Sequence, residues 1–463
     1  MADAAPPMSP RFPTTAGVLL GAVAALHLAA LTELVLGTMF AAATYFLLGQ
    51  FALSLALLRL YDGKWVFQDI RLFFVIFFFL YGGTLPLVVL LGLSGLGTGI
   101  AGAAFMYGTG FLGFNLVQWW YRQPWHDIPR AVFARIRPSF GNAAMILLAF
   151  GFIGAYAVVL GVRLSLTIDR SQVRFLGTQL WVVSMFVVNG FVMFMFAGWS
   201  RLTKSARIAL VASVLFFVVF QLAMGNRRDF LPMFVFLAAM IATRRHAVIR
   251  LGTVVIGFIA FAAFTAIGIV RQVLQDPSIL ARTNPIELIV TNSEFVSPIF
   301  TLMHYVNVER PLRWGFTYLA APGLFVPRAI WPAKPESLSL QFMRDAFGTT
   351  GLMGFAYTPV TEAFLNFSWV GPFIVFSILS LLMVKLVRNA DTHSGLYFVS
   401  FSLVVDFNRG DFGGTLYALV VVGGAYALMR FVSRLRWAPR RAQAMWPSAP
   451  RPSGTEPAML PHF

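Results

Sequence analysis

Long apolar runs separated by short polar stretches dominate the pattern of this 463-residue chain. A helix needs about 20 apolar residues to cross a hydrocarbon core about 30 Å thick, and twelve runs approach or reach that length. The pattern therefore predicts an all-α, polytopic membrane protein with about twelve transmembrane helices. The predicted spans are residues 15–36, 38–58, 72–92, 99–119, 141–162, 175–199, 206–224, 230–243, 248–270, 369–387, 394–407 and 413–433.

The spans divide the chain into four predicted parts. Residues 1–270 hold nine spans, residues 271–368 form one large loop, residues 369–433 hold three spans, and residues 434–463 form a disordered basic tail. Residues 315–326 of the loop are too apolar to stay solvated. We expect the loop to fold back on the helices as a cap, with a short amphipathic helix over 336–347, because non-helical backbone near the membrane is tolerated where protein surrounds it.

Composition excludes several classes of protein. The chain is 58% hydrophobic and 11% charged, whereas a soluble domain is about 45–50% apolar and about 25% charged. A chain without cysteine has neither thiol nucleophiles nor thiolate metal sites. The composition therefore indicates a membrane protein rather than a soluble, disordered or disulfide-stapled one.

The net charge of +17 is explained by membrane topology. If the N-terminus is cytoplasmic, the inner segments hold 22 of the Lys and Arg residues and the short outer loops hold six. Short cytoplasmic loops retain positive charge. We therefore predict that both termini are cytoplasmic, that residues 271–368 are periplasmic, and that nucleic acid is not a partner.

Arginines at the outer helix ends are the first candidate binding residues. Arg227 and Arg228 occupy a tight turn, Arg271 ends a span, and Arg409 lies between the last two spans. One interpretation is that they extend toward lipid phosphates at the interface. We favour a shared anion site, because arginine binds phosphate oxygens in bidentate fashion and only four of the 35 cationic residues are lysines.

The large loop supplies the remaining candidates. Residues 326–335 combine several prolines with Arg328, Trp331 and Lys334. Glu362 and Asn366 place a carboxylate and an amide at the mouth of the span that follows. We interpret Glu362 as a base or a ligand for a sugar hydroxyl, with an ion pair to a loop arginine as the alternative. His304 is a second candidate base, although a lone histidine is more often structural.

Four motifs between residues 200 and 430 carry a resemblance to a family. They are Gly225-Asn226-Arg227-Arg228, the segment from Pro327 to Pro335, Glu362 with Asn366-Phe367 and Gly371, and Arg409-Gly410-Asp411-Phe412. In this order and spacing, the chain resembles bacterial O-antigen and exopolysaccharide repeat-unit polymerases. The first half of the chain matches only in hydropathy.

The resemblance implies a GT-C-like glycosyltransferase of the bacterial inner membrane. Such an enzyme joins polyprenyl-diphosphate-linked oligosaccharides at the periplasmic face, and inversion at the anomeric carbon is expected. It implies undecaprenyl-diphosphate-linked substrates, membrane lipids as surroundings and no metal cofactor; a chain-length-regulating co-polymerase is left open as a partner. The implied roles are diphosphate binding by Arg227, Arg228, Arg271, Arg328, Lys334 and Arg409, catalysis by Glu362 or His304, and acceptor binding by Asn366 and Trp331.

Two other functions fit the same features. A ligase that transfers the glycan to a lipid core would differ only in its acceptor. A flippase for lipid-linked sugars would also place arginine against a diphosphate, but transporters usually show pseudo-symmetric halves and paired broken helices, which this sequence lacks. The late, structured outer loop favours catalysis at one face.

Overall fold

The computed structural model describes residues 14–95, 97–126, 128, 133, 136–159, 178–223, 230–245, 247–249, 273, 278, 293, 295–326, 330–348 and 356–435. Throughout these residues the regular elements are helices, and one isolated antiparallel bridge joins Val66 to Val248. The all-α prediction is confirmed for this part of the chain.

The first eight helices cover the N-terminal half. They are α1 (Thr14–Val35), α2 (Met39–Asp62), α3 (Ile70–Leu90), α4 (Ile100–Tyr121), α5 (Phe140–Val159), α6 (Thr178–Ala197), α7 (Lys204–Ala223) and α8 (Leu231–Arg245). A 3-10 turn, Trp199–Arg201, connects α6 to α7.

The C-terminal half contains shorter helices followed by long ones. They are α9 (Ile299–Val306), α10 (Phe316–Ala320), α11 (Leu338–Phe347), α12 (Pro359–Phe367), α13 (Gly371–Arg388), α14 (Ser394–Ser402), α15 (Val404–Asn408) and α16 (Phe412–Arg434). Two 3-10 turns, Ala321–Phe325 and Ser368–Val370, follow α10 and α12 respectively.

Seven helical segments in the described chain are long and apolar enough to cross a membrane: α1, α2, α3, α4, α7, α16, and the segment formed by α12 and α13. These helices indicate a polytopic membrane protein, as predicted. Described helices overlap eleven of the twelve predicted spans, and the ninth, 248–270, lies almost entirely outside the described residues. The predicted span 394–407 is divided at Leu403 into α14 and α15.

Helix α4 packs closely against α13. A side chain at Gly113 of α4 would collide with the carbonyl oxygen of Phe373 in α13, so glycine permits the approach. Farther along, the Gln118 amide donates to Ser380 Oγ at 2.9 Å. Buried aromatic rings fill the space between these helices and α3; the rings of Phe78 and Phe376 lie 4.5 Å apart.

Described parts of the large loop pack against one end of this bundle. Near the start of α4, a side chain at Gly99 would meet the carbonyl oxygen of Met303 in α9. Helix α11 lies where the amphipathic helix was predicted. It begins after Ser337, whose hydroxyl accepts from the Leu340 amide, and it ends at Gly348, where φ is +66°.

A buried charged cluster lies at the opposite end of α4. The Arg71 side chain is fully buried, and its guanidinium contacts Asp69 and Asp62, with Nη2 2.6 and 3.2 Å from their Oδ2 atoms. It also donates to the carbonyl oxygen of Gln123 and to Gln118 Oε1. We call these five residues the Arg71 cluster. Sequence analysis counted Arg71 only as an inner charge that sets topology, whereas the structure makes it an internal ion pair.

Candidate active site

Helix α12 holds the two candidate residues Glu362 and Asn366 one turn apart on the same face. The helix begins at Pro359, which suits a first helical position because it has no amide hydrogen to leave unpaired. The Thr358 hydroxyl accepts from the amides of Val360 and Thr361 at 3.0 and 3.1 Å. This capped helix presents both polar side chains to the bundle, where Glu362 is 1% exposed and Asn366 is fully buried.

Two neutral donors hold the Glu362 carboxylate. Oε1 accepts from the Thr317 hydroxyl at 2.6 Å, and Oε2 accepts from the Phe412 amide at 2.6 Å. Phe412 is the first residue of α16, so this carboxylate lies at the positive end of a long helix dipole. The alternative role of Glu362, an ion pair with a loop arginine, is not found within the described residues.

Asn366 completes this arrangement. Its amide nitrogen donates to Thr317 Oγ1 at 2.7 Å and to the Glu362 carbonyl oxygen at 2.8 Å. The Thr317 hydroxyl thus accepts from Asn366 while it donates to Glu362. Asn366 therefore orients the hydroxyl that holds the carboxylate. The structure brings the two predicted residues together through a threonine that sequence analysis did not single out.

A cleft of about 500 Å³ opens beside this carboxylate. We call it the Glu362 cleft. Its acidic lining is Glu362, Asp411 and Glu336, and its cationic lining is Arg313 and Lys334. Asp411 also caps α16 by accepting from the Gly414 amide at 2.6 Å. A cleft with both signs of charge can bind sugar hydroxyls and an anionic group at once.

The two cations of the cleft are held differently. Lys334 is 7% exposed, and its ammonium donates to the carbonyl oxygens of Leu324 and Val326 at 2.7 and 3.0 Å. Sequence analysis selected Lys334 but not Arg313, which donates to Gln341 Oε1 at 2.7 Å. The Arg313 amide also donates to the carbonyl oxygen of Leu365 in α12 at 3.0 Å. This cation is therefore tied to the helix that carries Glu362.

The other described candidates lie outside the lining of the cleft. Trp331 packs over Gly323, a residue of the cleft wall. Arg409 follows α15, and its amide donates to the Asp406 carbonyl oxygen at 3.2 Å. It lies two residues before Asp411, which does line the cleft.

His304 lies on α9 away from the Glu362 cleft. Its ring packs against those of Tyr305 and Phe342, with centroids 5.2 and 5.4 Å away. Burial lowers the pKa of His304, and the charge of Arg310 lowers it further against the opposing effect of Asp345. The imidazole is therefore favoured in its neutral form, but the structure does not join it to the carboxylate.

Four predicted diphosphate ligands, Arg227, Arg228, Arg271 and Arg328, lie outside the described residues. Their assignment stays a prediction. The residues that sequence analysis missed were Thr317, Arg313, Asp411 and the backbone amide of Phe412. Asp411 and Phe412 carried a signal, because both stand in the Arg409–Phe412 motif, but neither was assigned a role.

A second, strongly charged cleft of about 580 Å³ adjoins the first. The two share Arg313, Glu336 and Gln341. Arg310 pairs with Asp345 at 3.2 Å, and Arg344 pairs with Glu336. These shared side chains make one continuous polar surface that leads out from Glu362.

Within the described chain, no three His, Asp or Glu side chains are grouped so that they could hold a metal ion. The acids of the cleft are instead accompanied by cations. No model of a protein family, no curated protein and no solved structure matches this chain.

Proposed function

We propose that this protein is a membrane glycosyltransferase that polymerises polyprenyl-diphosphate-linked oligosaccharide repeat units into O-antigen or exopolysaccharide. The observation that carries the proposal is the buried carboxylate of Glu362 at the wall of a cleft that also contains Arg313 and Lys334. A carboxylate and cations are the groups needed to activate a hydroxyl and to stabilise a departing diphosphate.

In this proposal Glu362 is the general base. The acceptor hydroxyl loses its proton to Glu362 while its oxygen forms a bond to the anomeric carbon of the donor. The bond from that carbon to the diphosphate oxygen breaks, and the diphosphate leaves with the electron pair. A single displacement of this kind inverts the anomeric centre.

The contacts of Glu362 support this role. Each carboxylate oxygen accepts one hydrogen bond from the protein, from Thr317 or from Phe412. A carboxylate oxygen has lone pairs for more than one donor, so an acceptor hydroxyl can approach without displacing either contact. The two donors fix the orientation of the base, which is a requirement for general-base catalysis.

Cations supply the charge stabilisation in this proposal. Arg313 and Lys334 would stabilise the negative charge that develops on the leaving diphosphate. A divalent metal performs this task in other enzymes. Support for these two cations would come from Arg409, two residues before Asp411, and from the arginines with a predicted diphosphate-binding role, Arg227, Arg228, Arg271 and Arg328. The proposed reaction therefore proceeds without a metal cofactor.

The membrane arrangement in this proposal is a GT-C-like fold with about twelve spans. Both termini face the cytoplasm of a bacterial cell, and the Glu362 cleft faces the periplasm. The excess of cations at the predicted inner loops supports this orientation. The lipid-linked repeat units would then meet the cleft on the side where the polymer is assembled.

Elongation by the purified protein in lipid nanodiscs tests the proposal. The substrate is the lipid-linked repeat unit extracted from a strain that lacks this protein, and the product is a ladder of glycan lengths on a gel. We expect Glu362→Gln to lower the elongation rate about 100-fold or more, because a positioned base contributes about 10²–10⁴-fold. The matched control is Glu309→Gln, an exposed acid of the same loop segment, which should retain the wild-type rate.

Three outcomes would contradict the proposal or part of it. A folded Glu362→Gln protein with the wild-type rate would show that Glu362 is not the general base. Activity that is lost with a chelator and restored by a divalent metal would contradict the metal-free mechanism. A deletion strain that accumulates finished polymer on its lipid carrier would identify a ligase instead, whereas a strain that accumulates single repeats supports a polymerase.

A further inference from the structure

An apolar groove of about 730 Å³ runs between α3, α13, α14–α15 and α16. Apart from Thr415 and Ser400, its described lining is apolar. It consists of Ile70, Phe74, Leu379, Leu382, Met383, Leu386, Ser400, Leu403, Val404, Phe407, Phe412, Thr415, Leu416 and Leu419. The Thr415 hydroxyl donates to the Asp411 carbonyl oxygen at 3.1 Å. The groove therefore presents a hydrocarbon-like surface.

The groove has a buried floor and an open side. Phe74, Leu403 and Val404 are 0–4% exposed and form its deepest part, whereas Leu382 at its rim is 50% exposed. The helices on either side are long enough to cross a membrane. The open side therefore faces the lipid, and a hydrocarbon chain can enter the groove sideways.

One end of the groove lies at the Glu362 cleft. Phe412 lines the groove, and its backbone amide donates to Glu362 Oε2 at 2.6 Å. Its neighbours Asp411 and Gly413 line the cleft. A single residue at the start of α16 thus separates an apolar groove from a polar, charged cleft.

The other end of the groove lies far from the cleft. Ile70 is the first residue of α3, and its amide donates to the Tyr397 hydroxyl beside the Arg71 cluster. Leu386 is in the last turn of α13, whose first residues adjoin α12. From Leu379 to Leu386 alone, a helical rise of 1.5 Å per residue covers about 10 Å. The groove can therefore accommodate more than one isoprene unit in line.

We propose that this groove binds the polyprenyl tail of the lipid-linked substrate while the diphosphate and first sugar lie in the Glu362 cleft. The proposal rests on the function proposed above and specifies where that substrate lies. Three observations support it: the apolar lining, the open lipid-facing side, and the position of Arg313 and Lys334 in the adjoining cleft, where an anionic head group would end.

A photo-crosslinking experiment with the full-length protein in nanodiscs tests the groove without any sugar transfer. The probe is undecaprenyl phosphate with a diazirine in its tail, and labelled peptides are identified by mass spectrometry. We expect labelling of α13 and α16. Leu382→Trp should lower this labelling at least tenfold, because an indole at the rim would fill the groove.

A matched control separates filling of the groove from a general change in α13. Ile378 lies one turn before Leu382 on the same helix, is 56% exposed and is not part of the groove lining. Ile378→Trp should leave labelling unchanged. A second pair, Leu416→Trp in the groove and Leu428→Trp outside it on α16, keeps the test decisive if either α13 variant fails to fold.

Competition decides which lipid the groove selects. Unlabelled undecaprenyl phosphate should abolish labelling, whereas dioleoyl phosphatidic acid, with a phosphate head and acyl tails, should not. Equal competition by phosphatidic acid would identify a general phospholipid groove and overturn the proposal, as would full labelling of Leu382→Trp and Leu416→Trp.

The outcomes also separate this proposal from the proposed function. Loss of elongation in Glu362→Gln combined with unchanged labelling in both groove variants would overturn the groove alone. Selective labelling of the groove in a wild-type protein that never elongates repeat units would support a polyprenyl-binding site and contradict the proposed polymerase function.

Discussion

The two ends of the bundle each contain a buried charged residue, but they satisfy its charge in different ways. At one end, the guanidinium of Arg71 has two carboxylates and two further acceptors around it, and all of them belong to the protein. At the other end, the Glu362 carboxylate has two neutral donors and lies at the wall of an open cleft.

This difference separates a structural cluster from a candidate catalytic one. A buried ion pair with all its hydrogen bonds made is stable only as a unit, and it offers nothing to a ligand. A carboxylate held by neutral donors next to a cleft can still accept a hydrogen bond from a further donor. Burial of a charged residue alone therefore does not identify an active site; what matters is whether groups of the protein already occupy all of its hydrogen-bonding positions.

The largest expected effect on stability is at the Arg71 cluster. Arg71→Leu leaves Asp62 and Asp69 buried without their cation, and breaking a buried pair in this way costs about 3–5 kcal/mol. The measurement is the free energy of unfolding in mixed micelles, followed by tryptophan fluorescence. Arg388→Leu, an exposed arginine at the end of α13, is the control and should change stability by less than about 0.5 kcal/mol.

Equal stability of Arg71→Leu and Arg388→Leu would show that the cluster is hydrated rather than sealed. That result would contradict the contrast between the two ends of the bundle. The carboxylates of Asp62 and Asp69 would then be open to water, as the Glu362 cleft is.

A smaller effect is expected at the threonine that holds Glu362. Thr317→Val removes the donor to Glu362 Oε1 and the acceptor for Asn366 at once, and buried groups left unsatisfied cost about 1–3 kcal/mol. Unfolding and elongation assays should both report the change. Thr317→Ser retains the hydroxyl and is the matched control; if valine and serine behave alike, the hydroxyl does not orient the base.

Sequence reasoning located the long apolar helices because apolarity is a local property of the chain. It also selected Glu362 and Asn366, since they place a carboxylate and an amide at the mouth of a predicted span. It could not identify their partners, because Thr317 is 45 residues and Phe412 is 50 residues from Glu362 along the chain. Every residue except proline has a backbone amide, so the identity of Phe412 does not indicate that its amide is used.

The Arg71 cluster was missed for a different reason. Asp62 and Asp69 lie only nine and two residues from Arg71, so opposite charges stood close together in the sequence. Counting inner charges to assign topology gave none of them a further role. The distinction between a loop charge and an internal pair required the positions of Gln118 and Gln123, which come from a different helix and its following turn.

The packing that supports α12 gives the next prediction. A methyl group at Gly371 would collide with the carbonyl oxygen of Ala363, so Gly371→Ala must shift the helix that carries Glu362. We expect a loss of about 1–3 kcal/mol in unfolding free energy together with slower elongation. Gly423→Ala is the control, because a methyl group there meets nothing within 4 Å; it should stabilise the protein by about 0.5–1 kcal/mol.

Wild-type elongation by a destabilised Gly371→Ala protein would contradict the link between this packing and the base. It would show that α12 can move without displacing the carboxylate, and that only the contacts of Thr317 and Phe412 fix its position.

The smallest expected effect is a gain in stability at Ser368, which ends α12. Its φ of 57° and ψ of −148° lie in a region that glycine adopts far more easily than serine. Ser368→Gly should therefore raise the unfolding free energy by about 1 kcal/mol. Because Ser368 and Arg71 lie at opposite ends of the bundle, the double variant with Arg71→Leu should equal the sum of the single changes within about 0.5 kcal/mol. A larger deviation would mean that strain at the end of α12 and charge at the Arg71 cluster are coupled through the helices between them, so the two ends could not be treated as independent.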